Sequence, residues 1–347
     1  SSYKIDAIFK NDKGVDFKAK LEKESEDLIS AQNFLNNCIS STFSVSEVSK
    51  KPAKRYAPPP FTTSTMQQES SRKLSFSVSK TMSVAQRLYE AGYITYMRTD
   101  SVNLSSIAVD KAKEFVTSKF GNNYSNPKNY SIKSKNAQQA HEAIRPTDFF
   151  LNQDLITDYD QKRLYNLILN RTIASQMKEA EIEKTSVKIL SSSSTEVFLA
   201  VGEVIKFDGF LKIYSASKEN DIEENKGILP DMQAKDKIEL VKMIATQKFS
   251  KPPFRFSEAS LVKRLEELGI GRPSTYAPTI STIQNRGYIE KGTSEAKTRD
   301  IVQIILSNGN VEKTTVLEKY GSDKGKLVPT DIGMIVTDFL INHFGDI

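Results

Sequence analysis

The sequence predicts a multidomain α+β protein, with a β-rich unit interrupted by a helical one and followed by a smaller winged-helix-like α unit. Three observations carry this. A chain of 347 residues exceeds the roughly 250–300 residues at which a single hydrophobic core stops growing. Apolar residues alternate with polar ones near the start and again after residue 184, with a long stretch of helical spacing between. Prolines gather in "KKPAKRYAPPP", residues 50–60, and in "KFSKPP", residues 248–253, where removed donors and a fixed φ mark boundaries.

Each element follows in order. Tyr3, Ile5, Ala7 and Phe9 alternate, "NDKG" turns, and Val15, Phe17, Ala19 and Leu21 alternate again, which is a hairpin signal. Leu28, Ala31, Leu35 and Cys38 share a helical face, and residues 43–48 read as a short strand. From Phe61 to about Ala180 the pattern is helical. Met82, Ala85, Leu88 and Tyr89 share one face, with Gly92 where a left-handed C-terminal residue is wanted. Ile107, Val109, Ala112, Phe115 and Val116 suit a helix entered past Ser105, and Leu164, Leu167, Ile168 and Ile173 suit another. Strands return at 184–190, 196–205 and 237–245, so the helical part reads as an insertion into one sheet unit. Ser257 then caps a helix carrying Ala259, Val262, Leu265 and Leu268, closed by Gly269. "GIGRPSTYAPTISTIQNRGYIEK", residues 269–291, gives a turn, a Ser274 cap, a helix with Ile280 and Ile283 inward, a Gly287 stop and a strand, the plan of a helix-turn-helix with a wing. Thr330 caps a final amphipathic helix.

Composition narrows the function classes. Apolar residues at 38% and charged residues at 27% describe a soluble globular chain, and no window is apolar enough for a membrane span. One cysteine, Cys38, excludes a disulfide framework and a Cys-rich zinc site within the chain, so a cytoplasmic setting is expected. "SSYKIDAIF" lacks the order of a signal peptide and enters a strand directly, as an excised piece would. The net charge of +6 is modest, but basic residues interleave with Phe and Tyr in segments 50–55, 71–80 and 248–256. That combination follows a nucleic-acid backbone and stacks bases.

Three constellations could carry chemistry. In "AGYITYMRTDSVNLS", residues 91–105, an extended run would put Tyr96 and Arg98 on one side, with Asp100 next in line. A phenol with a pKa of about 10 is a poor nucleophile near neutrality without help. An arginine can hold two phosphate oxygens and offset charge in a phosphorane-like transition state. The plain alternative is a packed tyrosine beside an Arg98–Asp100 pair. In "HEAIRP", His141 and Arg145 would share a face if helical and could bind phosphate, or the segment could be a salt-bridged helix end involving Glu142. In "GRPSTY", Arg272, Ser274 and Thr275 gather at a predicted helix N-terminus, an anion site or simply a cap. The glycines form no Walker or dinucleotide pattern.

Taken together, "PPFTTSTMQQESSRKLSFSVSKTMSVAQRLYEAGYITYMRTDSVNLS", "AHEAIRPTD" and "RFSEASLVKRLEELGIGRPSTYAPTISTIQNRGYI" resemble the type IA DNA topoisomerases, collinearly over nearly the whole chain. Met97 stands where the topoisomerase III branch usually has proline, which favours the bacterial topoisomerase I branch. The resemblance implies that Tyr96 takes the 5′ phosphate of a cut single strand and that Arg98 stabilises the scissile phosphate, with Glu90 supporting the site. Thr95, Thr99 and Asp100 match the same DNA-contacting neighbourhood, Asp100 as a structural partner. His141 and Arg145 match residues that bind the DNA backbone near the cut, and Arg272, Ser274 and Thr275 match single-strand contacts. It also implies a toroid in which residues 1–56 and 181–248 are the β-rich arch, 57–180 the helical tyrosine domain and 249–347 a partial winged-helix-like domain lining the single-strand groove.

The departures matter equally. The family's N-terminal Toprim domain carries an acidic cluster that binds Mg²⁺, and no such cluster is found in this sequence; the groove domain also stops short. The expectation is a central fragment of an ATP-independent enzyme that relaxes negatively supercoiled DNA, inactive by itself, with single-stranded DNA as partner and no metal of its own. The alternative is a non-catalytic clamp of the same fold that binds single-stranded nucleic acid. A tyrosine recombinase-like nicking enzyme would need more histidine than His141 and His343 supply.

Overall fold

The computed structural model of the chain describes residues 1–130, 141–215 and 227–344. The predicted hairpin forms from β1 (Ser2–Lys10) and β2 (Asp16–Leu21), with Tyr3, Ile5, Ala7, Phe9, Phe17, Ala19 and Leu21 all buried. Helix α1 (Leu28–Cys38) buries Ala31, Leu35 and Cys38, as its spacing requires. Burial pushes the Cys38 thiol up to about 11, partly offset by Ser191, so it stays an unreactive packing group. Strand β3 (Phe43–Arg55) runs past the expected end at residue 48 and straight through Pro52. Pro52 is tolerated because β3 pairs along its whole length with β4 (Ala180–Ser191), whereas its other edge meets β6 (Lys237–Lys248) only at Phe43 and Ser44. No ladder hydrogen bond is demanded of the proline on that open side.

Strand β5 (Ser194–Phe207) completes the set. The strand order is β1-β2-β5-β4-β3-β6, and β6 pairs back onto β1, so six strands close into a ring of pairings. Phe9 sits at the centre of its core, with ring centroids 5.2 Å from Phe43, 5.5 Å from Phe198 and 6.0 Å from Phe17.

Between β3 and β4 the chain forms α2 (Thr63–Leu74), α3 (Val78–Glu90), α4 (Ser106–Phe120) and α5 (Tyr159–Ser175). Their N-caps are polar in every case: Thr62, Ser77, Ser105 and Asp158 each accept from a first-turn N–H. On α4 the buried face is Ala108, Ala112 and Val116, while Ile107, expected inward, is 73% exposed. Small residues there let α4 approach α5 closely.

The stretch after Lys248, expected as one unit, is divided between two cores. Helices α6 (Glu258–Glu267) and α7 (Tyr276–Asn285) place Val262, Tyr276, Ala277 and Ile280 in the same core as α2–α5. The strand expected after Gly287 forms as the short β7 (Ile289–Lys291) and pairs with β10 (Leu327–Pro329), while β8 (Lys297–Ser307) and β9 (Asn310–Tyr320), which were not anticipated from the sequence, add onto β6 and bury Ile304 and Leu306 in the sheet core. Thr330 caps α8 (Asp331–Phe344) through Gly333 N–H, as expected.

Where chain passes between the two bodies, Arg171 of α5 is the anchor. Its Nε donates to the Pro59 carbonyl at 2.5 Å and a terminal nitrogen donates to the Tyr214 hydroxyl at 2.8 Å. Tyr214 in turn donates to Glu69 at 2.8 Å, and its guanidinium-bearing partner is 95% buried, at 5% exposure. Pro59 follows β3 and Tyr214 follows β5, so one side chain of α5 ties down the segments that leave both strands. Arg171→Met is expected to cost about 3 kcal/mol in urea unfolding, since it leaves Tyr214 and Glu69 short of a buried partner. Lys111→Ala, which removes an exposed pair with Glu114, is expected to change stability by under about 1 kcal/mol in the same measurement.

Candidate active site

Helix α3 ends at Ala91, and Gly92 adopts φ +77°, which turns the chain back along the helical body. The segment that follows is extended, but it joins no sheet. It is threaded between two supports. On one side, Thr95 N–H donates to the Arg145 carbonyl at 2.9 Å, Thr95 Oγ1 donates to the Ala143 carbonyl at 2.7 Å, and Arg145 N–H donates to Thr95 Oγ1 at 3.0 Å. On the other, Thr63 at the start of α2 donates its hydroxyl to the Met97 carbonyl at 2.7 Å and accepts Thr99 N–H at 2.9 Å. Thr63 N–H adds a bond to the Thr99 carbonyl at 2.9 Å. Ile94, Met97 and Thr99 are buried, and Tyr96 and Arg98 are exposed, Tyr96 by 44%. The period of two thus puts the phenol and the guanidinium on the solvent side together, as the spacing requires.

Arg98 forms no ion pair or hydrogen bond among the described residues, so the alternative of an Arg98–Asp100 pair does not hold in this structure. The Tyr96 ring meets Tyr89, the last-turn residue of α3, edge-on at 5.2 Å and 64°. One turn along the same helix end, Gln86 Nε2 donates to Glu90 at 2.7 Å. Asp100 lies on the other side, toward α6: with Glu267 it adds to the loss of water that raises the Glu266 carboxyl above the usual range. Thr99, expected beside DNA, is 3% exposed and accepts Ser101 N–H, so it holds the segment rather than facing a ligand. The Thr95 hydroxyl is likewise committed to its backbone partners.

The "HEAIRP" segment is extended, not helical. Pro146 disfavours the helical region for Arg145, and Ile144 bridges to Phe61 while Pro146 bridges to Ile94. Arg145 is therefore not displayed with His141 on a helix face. Its guanidinium bonds Glu142 at 2.8 Å and 3.3 Å and the Pro146 carbonyl at 2.9 Å, with its side chain 16% exposed. Glu142 also accepts Ser105 N–H at 2.7 Å, which ties this segment to the start of α4. Burial pushes the Glu142 carboxyl up, but the bonds from Arg145 and Ser105 outweigh it and hold the group below the ordinary range. His141 is exposed, while Gln139 and Ala140, quoted with it in the sequence, lie outside the described residues.

In "GRPST" the expected Ser274 cap is absent. Thr275 occupies the cap position without a side-chain cap bond; its hydroxyl accepts Arg272 N–H at 2.8 Å and closes a turn. Gly271 makes that turn possible, at φ +81° with the Tyr276 ring 3.3 Å from where a Cβ would stand. Arg272 donates to the Gly271 carbonyl at 2.7 Å, and Ser274 is exposed. A pocket of 430 Å³ between α3 and α7 is lined by both Arg98 and Ser274, so the structure brings the tyrosine segment and the "GRPST" loop to one place. The basic runs are less available than their composition implied. Lys50, Lys54, Arg55, Arg72, Lys73 and Lys80 each have a carboxylate within 4 Å.

Sequence reasoning missed Thr63, Tyr89 and Gln86, while the Glu142–Arg145 pair weighed as the plain alternative for "HEAIRP" is present, on an extended segment rather than a helix end. Tyr89 was counted on the inward face of α3, yet it is 41% exposed. The signal lay in the spacing of Ser79, Ser83, Gln86 and Glu90, a polar stripe on the opposite face.

With this geometry in place, the comparisons are direct. A family model described as DNA topoisomerase matches residues 1–308. The prokaryotic-type DNA topoisomerase 1 of Acanthamoeba polyphaga mimivirus is 42% identical over 335 residues, covering 90% of this chain and 39% of its own length. DNA topoisomerase 1 of Zymomonas mobilis is 45% identical over 278 residues, 78% of this chain and 23% of that one. The full-length topoisomerase I structure from Thermotoga maritima superposes with a TM-score of 0.72 at 32% identity, over 99% of this chain and 52% of that one. The chain thus spans less than half the length of these two curated relatives.

Thr63→Val is expected to lower stability by about 1–3 kcal/mol in urea titration, because it leaves the Thr99 N–H buried without an acceptor. For Glu142, a depressed folded-state pKa gives stabilisation that is present above its unfolded-state value and lost as pH falls through the folded one. Glu142→Gln should therefore flatten that part of the acid limb when the urea midpoint is followed downward from pH 6, with little change in slope above it.

Proposed function

The chain belongs to the type IA family of DNA topoisomerases, and from that membership we propose that it carries the strand-cleaving tyrosine of a DNA-relaxing enzyme. The observation that supports this most is the threaded segment, which exposes both Tyr96 and Arg98 while Met97 between them and Thr99 after them are buried. Tyr96 Oη attacks a backbone phosphorus of one DNA strand. A phosphotyrosyl P–O bond forms, the P–O3′ bond breaks, the phenol gives up its proton and the 3′-oxygen leaves as a hydroxyl. The ester energy is conserved, so the 3′-hydroxyl can attack in reverse and reseal the strand after another strand has passed. No nucleotide is consumed.

Arg98, free of internal partners among the described residues, offsets the charge that grows on the phosphoryl oxygens. Tyr89 limits the swing of the nucleophile's ring. Glu90, fixed by Gln86, supports the end of α3 beside it. His141, Arg272 and Ser274 are the exposed polar groups that would meet the strand on either side, Thr95, Thr99, Arg145 and Thr275 act by holding backbone in position, and Asp100 faces α6 beside them.

The Mg²⁺ implied by the family does not fit the residues present: no cluster of three or more His, Cys, Asp or Glu side chains that could hold a metal ion occurs among the described residues. Its ligands would lie on the acidic Toprim part of a longer chain, and no step above is routed through it. No helix among the described residues is long and apolar enough to cross a membrane. We place the working enzyme in the cytoplasm, at the nucleoid in a bacterial cell, with single-stranded segments of DNA as its partner.

The full-length protein incubated with end-labelled single-stranded DNA should form a denaturant-resistant adduct that disappears in Tyr96→Phe. Arg98→Ala should slow its formation by roughly 10²–10³-fold. Reversible binding with no adduct in the unsubstituted protein would favour the clamp and sink this reading. Strand affinity should fall linearly on a log–log salt plot, with a smaller slope in Arg272→Ala.

A further inference from the structure

We propose that the pocket between α3 and α7 is a nucleobase site that reads one of the two bases flanking the cut. This inference rests on the reading of Tyr96 and Arg98 as the cleavage pair. The pocket has a volume of 430 Å³ and Arg98 at its wall, so a base attached to the phosphate that Arg98 holds can reach it. Its floor is apolar: Met82 and Ala277 are buried, and Pro273 and Pro278 line it from the α7 side. Arg98 is the one charged residue in the lining. A second phosphate would find no further cation there, whereas a flat neutral ring finds a thioether and two proline rings to lie against.

The polar groups at the wall can select among bases. Gln86 lines the pocket and its Nε2 donates to Glu90 at 2.7 Å, which holds the amide in place. An amide held at this point can read the edge of a base through its oxygen and its second N–H. The site is also preformed. Glu258 of α6 accepts Val78 N–H at the start of α3 at 2.7 Å, and Ser64 of α2 donates to Glu266 at 2.6 Å. With Val262 and Ile280 buried in the shared core, α7 is held at a fixed distance from α3.

The test uses the full-length protein and single-stranded oligonucleotides carrying one strong cut site, with each flanking base in turn replaced by an abasic residue. Removal of one of the two bases should lower Tyr96-dependent adduct formation at least tenfold. Ser83→Trp, which fills the pocket from an exposed position on α3, should lower adduct formation on the intact oligonucleotide and lose the response to the abasic residue. Ser281→Phe should do the same from the α7 side, with circular dichroism and thermal midpoints of both variants unchanged. Gln86→Leu should reduce the discrimination among the four bases at that position. The proposal is overturned if neither abasic substitution matters in the unsubstituted protein, or if Ser83→Trp and Ser281→Phe both keep the full base dependence. Absence of any Tyr96-dependent adduct on every oligonucleotide would instead overturn the cleavage reading itself, and this proposal with it.

Discussion

Everything at the candidate site depends on how one short extended segment is held without a sheet. Residues 94–99 gain their backbone partners from the first turn of α2 on one side and from the run before Pro146 on the other. Two threonines do most of this: Thr63 spends its amide and hydroxyl on Met97 and Thr99, and Thr95 spends its own on Ala143 and Arg145. Orphaned backbone groups would be costly at this depth. Because both edges are satisfied, Met97 can be fully buried while Tyr96 and Arg98 stand in solvent, and neither has to contribute to folding.

The rest of the helical body is arranged around that thread. The left-handed Gly92 delivers the chain from α3 into it, and Glu142 couples its second support to the start of α4. Arg171 gathers the passages to the sheet at one buried point, so the β ring and the helices share a fixed junction. Helices α6 and α7 close the arrangement from the far side. Their core residues are continuous with those of α2–α5, which is why a loop far along the sequence lies beside Arg98.

Much of the fold was legible because the hydrophobic period and the caps agree. The α1 face, the β1–β2 hairpin and the caps at Ser105, Ser257 and Thr330 follow from local chemistry alone. What was hidden depends on contacts distant in sequence. Pro52 argues against a strand until it is known that its unpaired side meets no neighbour. The β8–β9 hairpin has the alternation of a wing, and nothing local says that it will extend β6. At the site, the tyrosine and arginine were readable as a pair from spacing, but the helical reading of "HEAIRP" ignored what Pro146 does to the residue before it. Thr99 and Thr95 were placed beside DNA only by the resemblance; the three-dimensional pairing shows that their hydroxyls already bond backbone groups.

The closed ring has a consequence for the behaviour of the molecule in a crowded solution. Once β6 returns to β1, the strand order ends at β9, and a terminal strand is where another chain's strand can add and begin an aggregate. Strand β9 carries Glu312, Lys313, Glu318 and Lys319, with most of its residues exposed. A second copy approaching edge to edge would have to desolvate both signs of charge along its length. The sheet thus carries charge of both signs along its terminal strand.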